Sequence, residues 1–342
     1  MVKNALFGKT LAELQEIVAE VNLPSFTAKQ IAQWLYHKKV ASIDEITNLS
    51  KKAREAISEK YDMGIFFPTK VQESADGTKK YLFRTQNNYF VESVYLPEEN
   101  RNTLCISSQV GCKMNCDFCM TGKQGFQNQL TAREIINQIR SIPESELLTN
   151  VVYMGMGEPL DNYDEVIKSI EILTSEWGFG WSPRRINLST IGITPALKRI
   201  IEESNVHIAI SMHSPFHDER EKFMPVEKAY PIEDVVKTLR EYDFGRQRRM
   251  SFEYIMFRGI NDTPAHVKGI AKLLNGLRCR INLIKFHPFP NSSFKGSSHD
   301  RIEWFAKQLT DKGFTTTIRR SRGEDIFAAC GLLSTKELKT KN

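Results

Sequence analysis

From residue 104 onward, strand and helix signals alternate along the chain, and this alternation limits the fold more than any other feature. "LCISS", "NVVYMGMGEP", "RRINLSTIG", "VHIAISMHS", "MSFEYIMF" and "RINLIKFHPFP" read as strands. Thr131 with Glu134 caps a helix after the first of them. Further helices are predicted at 162–176, after Thr194-Pro195, at 231–242, after Thr263-Pro264 and at 300–312, with proline in the first turn of two of them. Six such units predict an α/β fold, with a parallel sheet covered by helices and curved into a partial (β/α)6 barrel over 104–332. A last strand, "FTTTIRRS", precedes "AACG".

The first 62 residues read instead as a small helical accessory domain. Thr10 with Glu13 forms a capping-box pattern, followed at helical spacing by Leu11, Leu14, Ile17, Val18 and Val21. Thr27 with Gln30 is predicted to open a second helix carrying Ile31, Trp34 and Leu35, and Ser42 with Glu45 a third. Between the two regions, 63–103 reads as a β-hairpin extension, because "KKYLFRTQNNYFVESVYLP" alternates apolar and polar residues around "QNN". Residues 333–342 form a polar tail, expected to fray.

With 47 basic against 41 acidic residues, the net charge of +6 leans mildly toward a polyanionic partner. Six cysteines in 342 residues are too sparse for a disulfide-stapled secreted scaffold. Lys9, Glu13 and Glu16 interrupt the N-terminal stretch, so it has no signal-peptide core, and no apolar run is long enough to span a bilayer. The expected setting is the reducing cytoplasm, with no membrane contact.

Three of the six cysteines fall in "GCKMNCDFCMTG", at Cys112, Cys116 and Cys119. A structural zinc site wants four ligands, usually as two C-x2-C pairs. An iron–sulfur cube is normally held by four thiolates. Three thiolates leave one iron open, which suits catalysis, and the amine and carboxylate of S-adenosylmethionine can chelate it. The alternatives are a chance grouping or a zinc site completed by His or Asp.

C-x3-C-x2-C just after the first strand of a β/α series, with an aromatic (Phe118) before the last cysteine, is the radical S-adenosylmethionine signature. More specifically, the chain resembles the RlmN/Cfr family of adenosine methyltransferases nearly end to end. "TLCISSQVGC", "CDFCMTGKQGF", "YMGMGEPLDN", "SPRRINLSTIGI", "AISMHSP", "MPV" and "AACGLL" carry the likeness. The resemblance implies one [4Fe-4S] cluster on Cys112, Cys116 and Cys119. It also implies S-adenosylmethionine contacts at Gly157, Glu158, Ser189, Ser211, Met212, His213 and His287. His287 departs from the family's usual asparagine.

By the same resemblance, Cys330 accepts a methyl group, Cys105 later forms a transient disulfide with it, and Glu92 is the general base. Taken alone, Glu92 reads as a solvated strand residue, and Cys105 and Cys330 as buried core cysteines. Cys279, at a helix–strand junction, reads as core. The implied substrates are 23S ribosomal RNA at adenosine 2503 and transfer RNA at adenosine 37, both methylated at C2. A flavodoxin-type reductant and a monomeric state complete the expectation, and the helical domain is expected to help bind RNA. Arg184, Arg185, "GRQRRM" and "IRRSRG" are the basic candidates for phosphate contact. Three readings compete with C2-methylation: the resistance branch that methylates C8 of the same adenosine, a non-enzymatic zinc-bound RNA-binding protein, and a radical enzyme that abstracts hydrogen without transfer, which has no evident use for Cys330.

Overall fold

The computed structural model describes residues 3–245 and 248–335. One ten-stranded sheet organises the chain. Its strands are β1 (Lys70–Glu73), β2 (Lys79–Arg84), β3 (Phe90–Glu98), β4 (Arg101–Ile106) and β5 (Asn150–Tyr153). They continue as β6 (Ile186–Thr190), β7 (His207–Ser211), β8 (Met250–Met256), β9 (Arg280–Lys285) and β10 (Thr315–Arg319). Each strand lies beside its sequence neighbour, from β1 at one edge to β10 at the other. Pairings from β4 to β10 are all parallel. Those among β1 to β4 are antiparallel. The expected parallel series is present, and "FTTTIRRS" adds a further parallel strand to it.

The hairpin at 63–103 is part of this sheet rather than an appendage. Strand β3 pairs with β4 from Val94–Cys105 to Glu98–Arg101, so the hairpin brings its residues beside the first parallel strand. Strand β8 is buried at every position, as expected for a strand covered on both faces. Helices Tyr163–Thr174, Thr194–Glu203, Ile232–Arg240, Pro264–Leu273 and His299–Asp311 connect successive parallel strands. Val166, Ile170, Leu197, Val235 and Phe305 from these helices share one core with Leu104, Val151, Leu188 and Phe252 of the sheet. Among the described residues, no helix is long and apolar enough to cross a membrane.

Three local expectations change. Thr27 begins its helix rather than capping it, and the chain continues into a π turn at Gln33–His37. The Ser42–Glu45 box closes only a single 3-10 turn. The third helix, Lys51–Lys60, starts instead at Ser50, whose hydroxyl accepts from the Ala53 amide at 3.2 Å. The polar tail is not frayed as far as it is described: Leu333 and Thr335 are buried, and Thr335 bonds to Gln124 and Phe90. Residues 336–342 of the tail lie outside the described residues. The N-terminal domain packs on the barrel through Tyr36, against Trp177 and Phe179, and through a Lys168–Glu13 ion pair of 2.6 Å.

Candidate active site

The cysteine loop leaves the tip of β4. Its base is closed by a short antiparallel pairing of Gln109–Val110 with Asn128–Gln129. The Asp117 amide donates to the Phe223 carbonyl at 2.9 Å, and the Cys119 amide to Cys116 at 3.2 Å. Phe118 wedges the loop in place: its ring meets His213 edge-on at 4.9 Å and packs near Phe223 and Phe257. These side chains, with Met224, Ile255, Ile284 and Phe286, form a separate apolar cluster under the loop. The aromatic before the last cysteine is therefore a packing element.

Cys112, Cys116 and Cys119 line one cavity of 340 Å³, together with Cys105, Gly157, Glu158, Ser189, Ser211, His213, His287 and Cys330. Most of these lie at the C-terminal ends of the parallel strands, the face where such barrels bind ligands. Two expected residues are absent from this wall. Met212 is fully buried in the main core, and its backbone is used inside the fold, the amide donating to the Glu253 carbonyl and the carbonyl accepting from Arg220. Glu92 lines a second cavity.

The donor set fits an iron–sulfur cluster. The three thiols share a soft, largely apolar pocket. Burial pushes the Cys112 thiol up to about 12 and Cys116 well above its ordinary value, so their thiolates need a cationic partner. Two further cysteines line the same cavity, Cys105 on β4 and Cys330 near the far end of the chain.

The turn after β5 is fixed by close approach. Gly157 has φ +97°, and a Cβ there would lie 2.5 Å from the Gln109 Cβ. The Glu158 carboxylate is used inside the fold, accepting from Thr190 Oγ1 at 2.6 Å, the Ile191 amide at 3.0 Å and the Leu160 amide at 3.1 Å. Burial outweighs these bonds and pushes its carboxyl up to about 7. His213 Nδ1 accepts from the Ile255 amide at 3.1 Å, which leaves its proton on Nε2. Burial and Arg220 hold the ring neutral, pushed down to about 3. The tips of β6 and β7 are braced by fully buried Arg220, which donates to the carbonyls of Ile191, Ser211 and Met212 and pairs with Glu227. His287 reaches the C-terminal segment, bonding Ser321 at 2.8 Å and Glu324 at 3.2 Å.

That segment carries Cys330. The Met120 amide donates to the Gly331 carbonyl at 2.8 Å, so it is bonded directly to the helix that ends the cysteine loop. Cys330 is exposed and Cys105 is partly so. Desolvation by the cavity walls pushes both thiols up, Cys105 to about 12, while Arg319 beside them pulls both down. Cys279 packs against the main core and lines neither cavity.

Residues 327–334 divide the two cavities. Ala328, Ala329, Cys330, Gly331 and Leu333 face the first, and Phe327, Leu332 and Ser334 the second. The second cavity, of 780 Å³, is lined by Glu92, Lys70, Lys80, Lys123 and Phe289 to Phe294.

The basic candidates separate. Arg185 is committed to the Thr149 and Leu148 carbonyls and stacks on Trp181. Arg248 caps a helix end through the Val206, Ile201 and Ile200 carbonyls. Arg319, half-buried, lines the first cavity 3.9 Å from Glu253. Exposed Arg320 remains at the cavity mouth. Sequence reasoning missed Lys80 and Glu253. Glu253 has a visible signal, a charge inside an otherwise apolar strand, whereas Lys80 follows Lys79 in a strand that ends in Arg84 and carries none.

This geometry defines an enzyme of the radical S-adenosylmethionine class. Residues 106–274 match the model described as the Radical SAM superfamily, and residues 4–62 match the ribosomal RNA large subunit methyltransferase N-terminal domain. A probable dual-specificity RNA methyltransferase RlmN from Bacteroides fragilis is 56% identical over 342 residues, covering 100% of this chain and 99% of its own length. The dual-specificity RNA methyltransferase RlmN of Syntrophus aciditrophicus is 41% identical, with 97% of each chain covered. The crystal structure of a radical SAM methyltransferase from Sphaerobacter thermophilus superposes with a TM-score of 0.90 at 38% identity, over 96% of this chain and 98% of that one. The chain belongs to the RlmN family of radical S-adenosylmethionine methyltransferases.

Proposed function

We propose that this chain methylates C2 of adenosine 2503 in 23S ribosomal RNA and of adenosine 37 in transfer RNA, with Cys330 as methyl carrier. The observation that carries the reading is the bond between the Cys330 segment and the cysteine loop, with Cys105 on the same cavity wall. The dual specificity named for the relatives above supports the two substrates. The cluster is assigned to Cys112, Cys116 and Cys119, and S-adenosylmethionine to the turn at Gly157 and Glu158 and the strand tips at Ser189, Ser211 and His213. When bound, the cluster and S-adenosylmethionine supply a hydrogen-abstracting radical.

C2 of adenine is too weak a nucleophile to attack a sulfonium methyl directly, so the protein must carry the carbon. Cys330 thiolate takes a methyl group by displacement, and S-adenosylhomocysteine leaves. Loss of a hydrogen atom from that S-methyl group leaves a carbon radical on Cys330, which bonds to C2 and tethers the RNA. Glu92 takes the C2 proton, and the one electron that the adduct gives up would pass to the iron–sulfur cluster held by Cys112, Cys116 and Cys119. Cys105 thiolate then attacks the Cys330 sulfur. The S–S bond forms, the C–S bond breaks, and the released carbon takes a proton to become the methyl group. An external dithiol or flavodoxin-type reductant reopens the disulfide, and the protein acts as a monomer.

Anaerobic reconstitution with methyl-labelled S-adenosylmethionine and both RNAs tests this. The expected product is labelled 2-methyladenosine from a brown protein. A labelled 8-methyladenosine would move the chain to the C8 branch, and a colourless zinc protein that labels no base would end the proposal.

A further inference from the structure

We propose that Lys80 is a positioning residue that holds Glu92 ready as a base and registers the Cys330 segment against it. The inference rests on the assignment of Glu92 made above. Lys80 on β2 and Glu92 on β3 are diagonal cross-strand neighbours, since Leu82 is paired with Glu92 and Lys80 with Val94. Lys80 Nζ lies 3.0 Å from Glu92 Oε1, and both side chains are more than nine-tenths buried. A lysine in such a place is rarely left without a purpose, because desolvating an ammonium is costly unless it is paired.

The same ammonium donates to the Phe327 carbonyl at 3.4 Å, three residues before Cys330. On the other side of Cys330, the Ser334 amide donates to Glu92 Oε2 at 3.0 Å. The carrier segment is thus held at both ends by the Lys80–Glu92 pair. Burial pushes the Glu92 carboxyl up, while Lys80, by charge and hydrogen bond, and the Ser334 amide pull it back down. The other charged groups around this cavity are Lys70 on β1 and the Asp117–Lys123 ion pair on the cysteine loop. None of these contributes to the Glu92 shift as Lys80 does.

The chemistry follows from this arrangement. A carboxyl raised by burial is a better proton acceptor than a free one, provided it stays ionised at working pH. Lys80 supplies that condition. Without its charge the carboxyl binds a proton more readily, and less of the base is ionised at a given pH. A base acts only when deprotonated, so the proton-transfer step accelerates as pH rises through the Glu92 pKa. Removing Lys80 moves that rise to higher pH.

The test uses the full-length holoenzyme with Lys80→Met and Lys80→Arg. Two quantities are read: S-methylation of Cys330 by peptide mass, and single-turnover methyl transfer to RNA across pH. Lys80→Met is expected to leave Cys330 S-methylation intact and to displace the inflection of transfer rate against pH upward, by about one unit for a tenfold loss on its acidic side, with rate recovered in alkaline buffer. Lys80→Arg restores most of the neutral-pH rate. Infrared titration of the RNA-free holoenzyme, with Glu92→Gln to identify the band, reads the carboxyl directly and should show the same displacement. A loss of transfer equal at every pH, or an infrared titration that does not move, overturns the role of Lys80. Full transfer by Glu92→Gln itself would instead remove the assignment on which this inference stands.

Discussion

The two cavities on either side of residues 327–334 are built by different means. The smaller, of 340 Å³, is walled by strand tips, tight turns and the cysteine loop. Its geometry is set by buried bonds: Arg220 to three carbonyls, Glu158 across to Thr190 and Ile191, and Phe118 against His213. The larger, of 780 Å³, is walled by side chains of the β1–β3 hairpin, the 289–294 loop and the carrier segment. Apart from the buried Lys80–Glu92 pair, its positive charges are the exposed Lys70 and Lys123, which are free to adapt. The contrast matches two demands. Radical chemistry needs enclosure and fixed geometry, whereas an RNA base with its phosphates needs room and adaptable positive charge. The thin partition between the cavities holds the sulfur proposed to pass a carbon from one to the other.

The sharpest way to break the comparison is Cys330→Ala. RNA methylation is expected to disappear completely, while the visible absorption of the cluster and reductive cleavage of S-adenosylmethionine persist. If cluster loading fell as well, Cys330 would belong to the first cavity alone rather than serve both. Next in size is Cys105→Ala. The protein should complete one transfer and stop, accumulating a covalent RNA adduct that runs as a shifted band on a denaturing gel. Normal turnover by that variant would show that the thiol on β4 has no resolving role.

How much of this was legible in the sequence divides along the same line. The parallel strands, the cysteine loop and most of the strand-tip residues are local patterns that converge on one cavity, whereas Met212 is buried in the core. What could not be read was lateral. Nothing in "KKYLFRTQNNYFVESVYLP" says that the hairpin joins the barrel sheet through Val94 and Cys105, because register between distant strands leaves no mark in either one. For the same reason Lys80 passed as an ordinary hairpin residue and the terminal Ser334 and Thr335 as a loose end, although Lys80 and Thr335 are buried and the Ser334 amide donates to Glu92. The Ser42–Glu45 box failed differently. Its capping geometry is present, but after a single turn the chain runs into Thr47 and Asn48, and the true helix starts at Ser50.

A smaller effect sharpens the rigidity of the first cavity. Gly157→Ala places a methyl group 2.5 Å from Gln109 Cβ at φ +97°. The strain should cost roughly 1–3 kcal/mol of stability and weaken S-adenosylmethionine binding about tenfold in calorimetry, with RNA affinity unchanged. Equal losses of both affinities would mean that the two cavities are mechanically one.

The smallest expected effect separates arginines that serve the fold from those that serve RNA. Arg248 donates to three carbonyls near the end of helix Thr194–Glu203, and burial pushes its guanidinium down to about 10. Arg248→Ala therefore uncaps a helix and should lower the melting temperature by several degrees, consistent with about 1–3 kcal/mol for buried bonds to a charged donor. RNA affinity at fixed salt should not change. Arg320 sits exposed beside the cavity mouth, ten residues before the methyl carrier. Arg320→Ala should leave melting unchanged, weaken RNA binding severalfold and reduce the slope of log affinity against log salt by about 1, the signature of one lost phosphate contact. If both arginines changed the salt slope equally, the helix cap at Arg248 would also be part of the RNA track, and the positive surface would run from the carrier segment across the barrel's far strands.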